Sequence, residues 1–221
     1  MVEELLQKLG VSEVDLLIAH SAGTHAAILM ALNQRRVRIR SMALLCSTTS
    51  KLLPVHQPAW LHSRMIWMLH KPGLRKLIVP FYELVILYLG LKKITATEAV
   101  TSFAAIYATT YWYPDKASQW IQNLRDRGFP RMAIYSSRDS VVPSGMSEDF
   151  ARELGNPDKA NHFTYSGRSE AEVKLMHEPS NKNLVPIVHF KDGGHNVMTQ
   201  FPETVADHLL EFVESQAQRE C

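Results

Sequence analysis

The pentapeptide Ala19-His20-Ser21-Ala22-Gly23 lies between an apolar run, Leu16-Leu17-Ile18, and an alanine-rich stretch, Ala26-Ala27-Ile28-Leu29-Met30-Ala31. A strand that passes through a small-residue turn into a helix presses one side chain into an exposed corner. That corner is the nucleophile elbow, usually written G-x-S-x-G, with Ser21 at its apex. Small residues two before and two after the serine are expected because strand and helix backbones nearly touch there. Ala19 keeps the smallness but gives up the backbone freedom of a glycine. A serine hydroxyl is a poor nucleophile at neutral pH, so it needs a base, and the base needs a group that fixes its tautomer. The plainer reading of Ser21 is a helix N-cap.

Two later segments offer those partners. Met132-Ala133-Ile134-Tyr135-Ser136-Ser137 reads as a short buried strand that ends in Arg138-Asp139-Ser140-Val141-Val142-Pro143, which makes Asp139 the candidate acid. Asp149 and Asp126 are the alternatives, and Asp139 could instead cap a turn before Pro143. Val185-Pro186-Ile187-Val188-His189-Phe190 reads as another strand, followed by the turn Lys191-Asp192-Gly193-Gly194 and then His195. Among ten histidines, His195 is the one in a glycine-rich turn between a late strand and the last helix; His189 and His208 compete with it. That last helix opens at Phe201-Pro202-Glu203 and places Val205, Leu209, Phe212 and Val213 on one face. Ser21, Asp139 and His195 each follow an expected strand, which is where open α/β sheets place their chemistry.

The segments Ala-His-Ser-Ala-Gly (19–23), Ser-Arg-Asp-Ser-Val-Val-Pro (137–143) and Gly-Gly-His-Asn-Val (193–197) resemble the α/β-hydrolase superfamily, in particular its capped serine hydrolases. The resemblance runs the whole chain but covers only the carboxyl-terminal part of the family fold. It implies an α/β-hydrolase-like, mostly parallel sheet with an inserted helical cap. It also implies Ser21 as nucleophile, Asp139 as orienting acid, His195 as general base, and the Ala22 N–H as one oxyanion donor. The activity implied is hydrolysis of an ester, thioester or amide through an acyl-enzyme. A serine apex argues against the dehalogenase and epoxide-hydrolase branches, which need a carboxylate there.

Two departures qualify the resemblance. Asp139 and His195 are farther apart than such hydrolases usually show; the excess, Gly155 to Asn183, is polar and Gly/Pro-punctuated and reads as an inserted loop and short helix. Such a hydrolase also places four strands before the elbow strand, and the loop after the third carries the second oxyanion donor, often in a His-Gly motif. Here Met1 to Gly10 suffices for one amphipathic helix (Val2, Leu5, Leu6, Leu9) stopped by Gly10, and no His-Gly pair occurs. Losing one oxyanion donor costs on the order of 10²–10³-fold in turnover. The strand Val14–Ala19 is patterned for burial yet would stand at a sheet edge. The expectation is therefore an N-terminally truncated form of a longer hydrolase, or a short protein that borrows strands from a partner. Beside the enzyme stands a second hypothesis, a non-catalytic or regulatory remnant without a working oxyanion site.

The organisation follows from these elements. Residues 1–47 form a core segment, 48–127 a helical cap rich in Trp, Met, Tyr and His, and 128–221 the returning core. Lids of this kind shape an apolar pocket, so a small, apolar acyl substrate is expected. Leu77–Leu91 is nearly all apolar, but Pro80 and Glu83 interrupt it and it is too short to span a bilayer. Between Lys51 and Lys93, seven basic residues (Lys51, Arg64, Lys71, Arg75, Lys76, Lys92, Lys93) face Glu83 alone, which reads as a solvated face or contact with an anionic membrane surface. A net charge of +2 gives no argument for nucleic acid. The two cysteines make no disulfide framework, and Cys46 sits in an apolar strand pattern as a core residue. With no P-loop, no His-Glu-x-x-His and no paired cysteines, neither nucleotide, metal nor other cofactor is expected. A charged helix directly after Met1 gives a cytoplasmic default.

Overall fold

Alternation with period two divides the sheet residues cleanly between two cores. In β2 (Arg38–Leu45) Met42 and Leu44 point to one face, and Ala43 and Leu45 to the other. In β3 (Arg131–Ser136) Ala133 and Tyr135 join the first face, and Met132 and Ile134 the second. A strand apolar on both sides has to be covered on both sides. The computed structural model describes residues 2–48, 50, 51, 59–69, 71–88, 95, 98, 114–181 and 183–219. They form two compact units, residues 1–48 with 116–221, and residues 49–115.

In the first unit β1 (Glu13–His20), β2 and β3 are followed in the chain by β4 (Phe163–Ser166), β5 (Lys174–His177) and β6 (Ile187–Phe190), in the spatial order β1-β2-β3-β6-β4-β5. All pairings are parallel except β4 with β5. α1 (Val2–Lys8) precedes β1 and α2 (Gly23–Leu32) follows it. One face is covered by Ala27, Ile28 and Ala31 of α2 together with two later helices, α5 (Pro114–Asp126) and α6 (Ser144–Leu154), through Ile121, Leu124, Phe150 and Leu154. The other is covered by α7 (Val197–Gln200) and α8 (Pro202–Arg219), through Val197, Val205 and Phe212, and by Phe201 between the two helices. Burying these side chains from both faces supplies the main driving force for the fold, about 1.5–3 kcal/mol for each large one.

Two expectations change. The segment Gly155–Asn183 carries two strands, β4 and β5, besides two short 3-10 helices, and β4 lies parallel to β6 as part of the main sheet. α5, placed by its sequence with the insertion, belongs to the first unit because Ile121 and Leu124 are buried in its core. The expected α1 forms and is closed by Gly10 at φ +75, with Val11 N–H reaching the Leu6 carbonyl; of its apolar stripe Val2, Leu5 and Leu9 are exposed and Leu6 is partly buried. β1 stands at the sheet edge with Ile18 half exposed.

The second unit contains α3 (Ala59–Leu69) and α4 (Pro72–Tyr88), packed against each other, with Pro72 at the first helical position. The Lys71 ammonium lies 5.5 Å from the centre of the Trp67 ring. Lys92 and Lys93 lie outside the described residues. Among the described residues no helix is long and apolar enough to cross a membrane.

Candidate active site

Ser21 is held in the left-handed region, φ +52, which a residue with a side chain adopts only under constraint. The constraint is visible on both sides. Its N–H donates to the Leu45 carbonyl (2.9 Å), continuing the β1–β2 pairing, while its own carbonyl accepts from Thr24 Oγ1 (2.7 Å), Thr24 N–H (3.2 Å) and Thr48 (3.3 and 3.4 Å). The chain is thus turned sharply and fed into α2, with Ala22 as the N-cap. That position gives the Ala22 N–H and the first turn the partial positive charge of a helix start. The expected squeeze around the serine is looser than the motif implies. A Cβ on Gly23 would sit 3.9 Å from the Ala19 methyl, ordinary contact distance.

Asp139 lies in the turn after β3, its side chain buried. Oδ1 accepts from Val141 N–H (2.7 Å) and Val142 N–H (2.8 Å), which fixes the carboxylate plane. Oδ2 lies 2.8 Å from His195 Nδ1, and His195 Nε2 lies 2.9 Å from Ser21 Oγ. A carboxylate facing Nδ1 puts the ring proton there and leaves Nε2 as acceptor for the serine hydroxyl.

The turn that carries His195 is built by the expected glycines together with two residues the sequence did not single out, Ser136 and Gln200. A Cβ on Gly193 would meet Phe201 Cε2 at 2.9 Å, Phe190 Cβ at 3.1 Å and Ser136 Cβ at 3.2 Å, so only glycine lets the turn lie this close to the strand ends. Ser136 Oγ donates to the Gly194 carbonyl (2.7 Å), Gly194 N–H donates to Gln200 Oε1 (2.6 Å), and Arg138 N–H donates to the Gly193 carbonyl (3.2 Å). His20 closes the far side, with Nε2 3.0 Å from the His195 carbonyl; burial lowers its pKa. A single polar residue at the end of a strand or of a short helix gives no sequence periodicity, so Ser136 and Gln200 carried no signal.

The alternatives go elsewhere. His189 contacts Ser137 Oγ (2.6 Å), and burial pushes its pKa down to about 4. His208 meets the Tyr165 hydroxyl (2.9 Å). Asp149 pairs with Arg152 (2.7 Å), and Asp126 accepts from Gln122 (2.7 Å). The structure therefore brings Ser21, His195 and Asp139 into one hydrogen-bonded chain, an arrangement able to draw a proton from a serine hydroxyl onto an oriented imidazole.

Comparison with known proteins agrees with this architecture. Residues 1–214 match the family model described as "Alpha/beta hydrolase of unknown function (DUF1057)". A search of curated proteins gave no sequence match. Among solved structures, a carboxylesterase of the ammonia-oxidizing thaumarchaeon Nitrososphaera gargenis is similar at 14% identity and a TM-score of 0.55, over 99% of this chain and 71% of its own. A thermophilic esterase from Thermogutta terrifontis is similar at 14% identity and a TM-score of 0.57, over 97% of this chain and 70% of its own. A bromoperoxidase from Bacillus anthracis is similar at 13% identity and a TM-score of 0.55, over 96% of this chain and 71% of its own. At such identities the likeness speaks to the fold, and the family match, spanning nearly the whole chain, makes this protein a member of the α/β-hydrolase family.

Proposed function

We propose that the chain is a serine hydrolase that cleaves an ester, thioester or amide through an acyl-enzyme. The observation that carries this reading is the Ser21–His195–Asp139 relay, with contacts of 2.9 and 2.8 Å. Ser21 Oγ attacks the substrate carbonyl carbon as its proton passes to His195 Nε2. Asp139 holds Nδ1–H and stabilises the imidazolium that forms. The C=O electron pair moves to oxygen, where the Ala22 N–H at the start of α2 donates to it. Collapse of the tetrahedral centre expels the alcohol, thiol or amine, which takes the proton from Nε2. A water then repeats the sequence against the acyl-serine and restores Ser21. The composition of residues 48–127, rich in Trp, Met and Tyr, supports an apolar acyl group.

A fluorophosphonate probe tests this reading directly, since it esterifies only an activated serine. The wild-type chain is expected to label, and Ser21→Ala is expected not to. Absence of labelling in folded wild-type protein would instead support a non-catalytic member of the family, and labelling that survives in Ser21→Ala would remove Ser21 from the mechanism.

A further inference from the structure

The two strand ends that meet under the His195 turn carry more than the elbow. His20 and Leu45 are register partners in the β1–β2 pair, so Cys46, the next residue, emerges beside the elbow. Among the described residues Ser21 and Cys46 are the non-glycine positions with positive φ, Cys46 at +43. Its N–H is pinned to the Ile134 carbonyl at 2.8 Å, and its Sγ lies 3.9 Å from the Gly194 carbonyl, one residue before His195. Holding a side-chain-bearing residue in that region is strained, and such strain gathers at functional sites. The rings of His20 and His195 lie 4.8 Å apart between centroids, tilted by 50°. One ligand-capable atom from each of His20, Cys46 and His195 lies within 4.8 Å of the other two.

Two imidazoles and a thiol make a donor set suited to Zn²⁺ and its softer relatives, not to Mg²⁺ or Ca²⁺. Tetrahedral zinc, with bonds of about 2.0–2.1 Å to nitrogen and 2.3 Å to sulfur, needs its donors roughly 3.3–3.7 Å apart. About 1 Å of closure brings these three to that spacing. The fourth position is left to water. Both ring nitrogens of His195 are engaged, Nδ1 with Asp139 at 2.8 Å and Nε2 with Ser21 at 2.9 Å.

We propose that His20, Cys46 and His195 form a binding site for a zinc-class divalent cation, and that its occupancy switches off the Ser21 relay. The metal takes a ring nitrogen of His195, and because Asp139 holds one and Ser21 the other, coordination at either breaks the relay. One proton, from the Cys46 thiol, leaves to solvent as the thiolate bonds the metal. Binding rests on the geometry alone; the switch rests on His195 acting as the base.

The test uses the full chain stripped of metal. Zn²⁺ is titrated against a chromophoric chelator, and Cd²⁺ is followed by its thiolate charge-transfer absorption. Wild type and Ser21→Ala are expected to bind one equivalent with similar affinity, while His20→Gln and Cys46→Ser each bind at least tenfold more weakly, and Cys46→Ser loses the cadmium band. Failure of the wild type to bind one equivalent overturns the site, as does binding unchanged in both ligand variants, whose folding is checked by circular dichroism. Fluorophosphonate labelling of the wild type is expected to fall with the same midpoint as zinc binding and to return on chelation. Labelling unaffected at saturating zinc overturns the switch. Protein that binds zinc but never labels, even without metal, refutes the hydrolase reading while leaving the cation site standing.

Discussion

Ser21 meets His195 Nε2 at 2.9 Å, and Ser137 meets His189 Nε2 at 2.6 Å. The second contact is the shorter, yet it lacks everything that surrounds the first. Behind His195 stands the Asp139 carboxylate; the His189 ring lies flat on Tyr135, 4.6 Å away at 12°. Burial drives the pKa of His189 to about 4, too weakly basic to hold a proton drawn from a serine at neutral pH. Ser21 sits at positive φ before a ten-residue helix, whereas Ser137 is an exposed turn residue after β3. Distance alone therefore does not identify a nucleophile. The orienting carboxylate, the strained backbone and the helix start are what support the proposal for Ser21.

Breaking each pair separately gives the sharpest contrast. If the relay works as proposed, Ser21→Ala lowers kcat on the order of 10⁶-fold, as loss of the nucleophile does in other serine hydrolases. Ser137→Ala, cutting the shorter contact, leaves kcat and probe labelling within about twofold, because a surface substitution of this kind changes little. Steady-state hydrolysis of activated esters by the two variants checks this, and the opposite pattern would assign the chemistry to the wrong pair. Asp139→Asn comes next. It keeps a side chain on Val141 and Val142 but presents an amide to Nδ1, favouring the wrong tautomer; the expected loss is on the order of 10⁴-fold in kcat with the substrate KM little changed.

The contrast between the two pairs also explains what could be read from the sequence. Ser21, Asp139 and His195 were legible because each follows an apolar run and sits in a turn whose small or polar residues break the strand pattern. The same logic found β1, β2, β3 and β6 and the last helix. β4 escaped because Phe163-Thr164-Tyr165-Ser166 shows only two alternations inside polar sequence, and its placement depends on pairing with β6, a long-range contact. His20 and Cys46 escaped for another reason. A histidine beside the serine and a cysteine in an apolar strand each have an ordinary core explanation, and only the β1–β2 register puts them together.

His189 extends the comparison to stability. Its pKa lies near 4 in the folded chain and near 6.5 when unfolded. Between those values the unfolded state binds the extra proton, so the contribution is complete above about pH 6.5 and is lost as pH falls toward 4, with a slope of at most ~1.4 kcal/mol per pH unit. Burial lowers His20, His162 and His208 in the same direction. Urea unfolding between pH 4 and 7 is expected to show rising stability with pH, and His189→Phe is expected to flatten that rise by one proton. An unchanged slope would mean that His189 titrates normally and has no claim to being the weaker base.

Two glycines, one under each partner of the relay, make the smallest and most local contrast. Sequence logic weighs Gly23 of the elbow most heavily, but the structure reverses that weight. Alanine at Gly193 would drive its methyl to 2.9–3.2 Å from Phe201, Phe190 and Ser136, and those buried atoms have no room to retreat. The expected cost is about 1–3 kcal/mol, with kcat falling on the order of 10²-fold as His195 moves away from Ser21. Alanine at Gly23 meets only the Ala19 methyl at 3.9 Å, and it restricts the unfolded chain, so it is expected to leave activity intact and add about 0.4–1 kcal/mol. Thermal melts and kcat/KM for the two variants decide between the readings. A Gly23→Ala variant crippled while Gly193→Ala is silent would mean that the elbow is tighter than 3.9 Å, and that the His195 turn is the looser of the two.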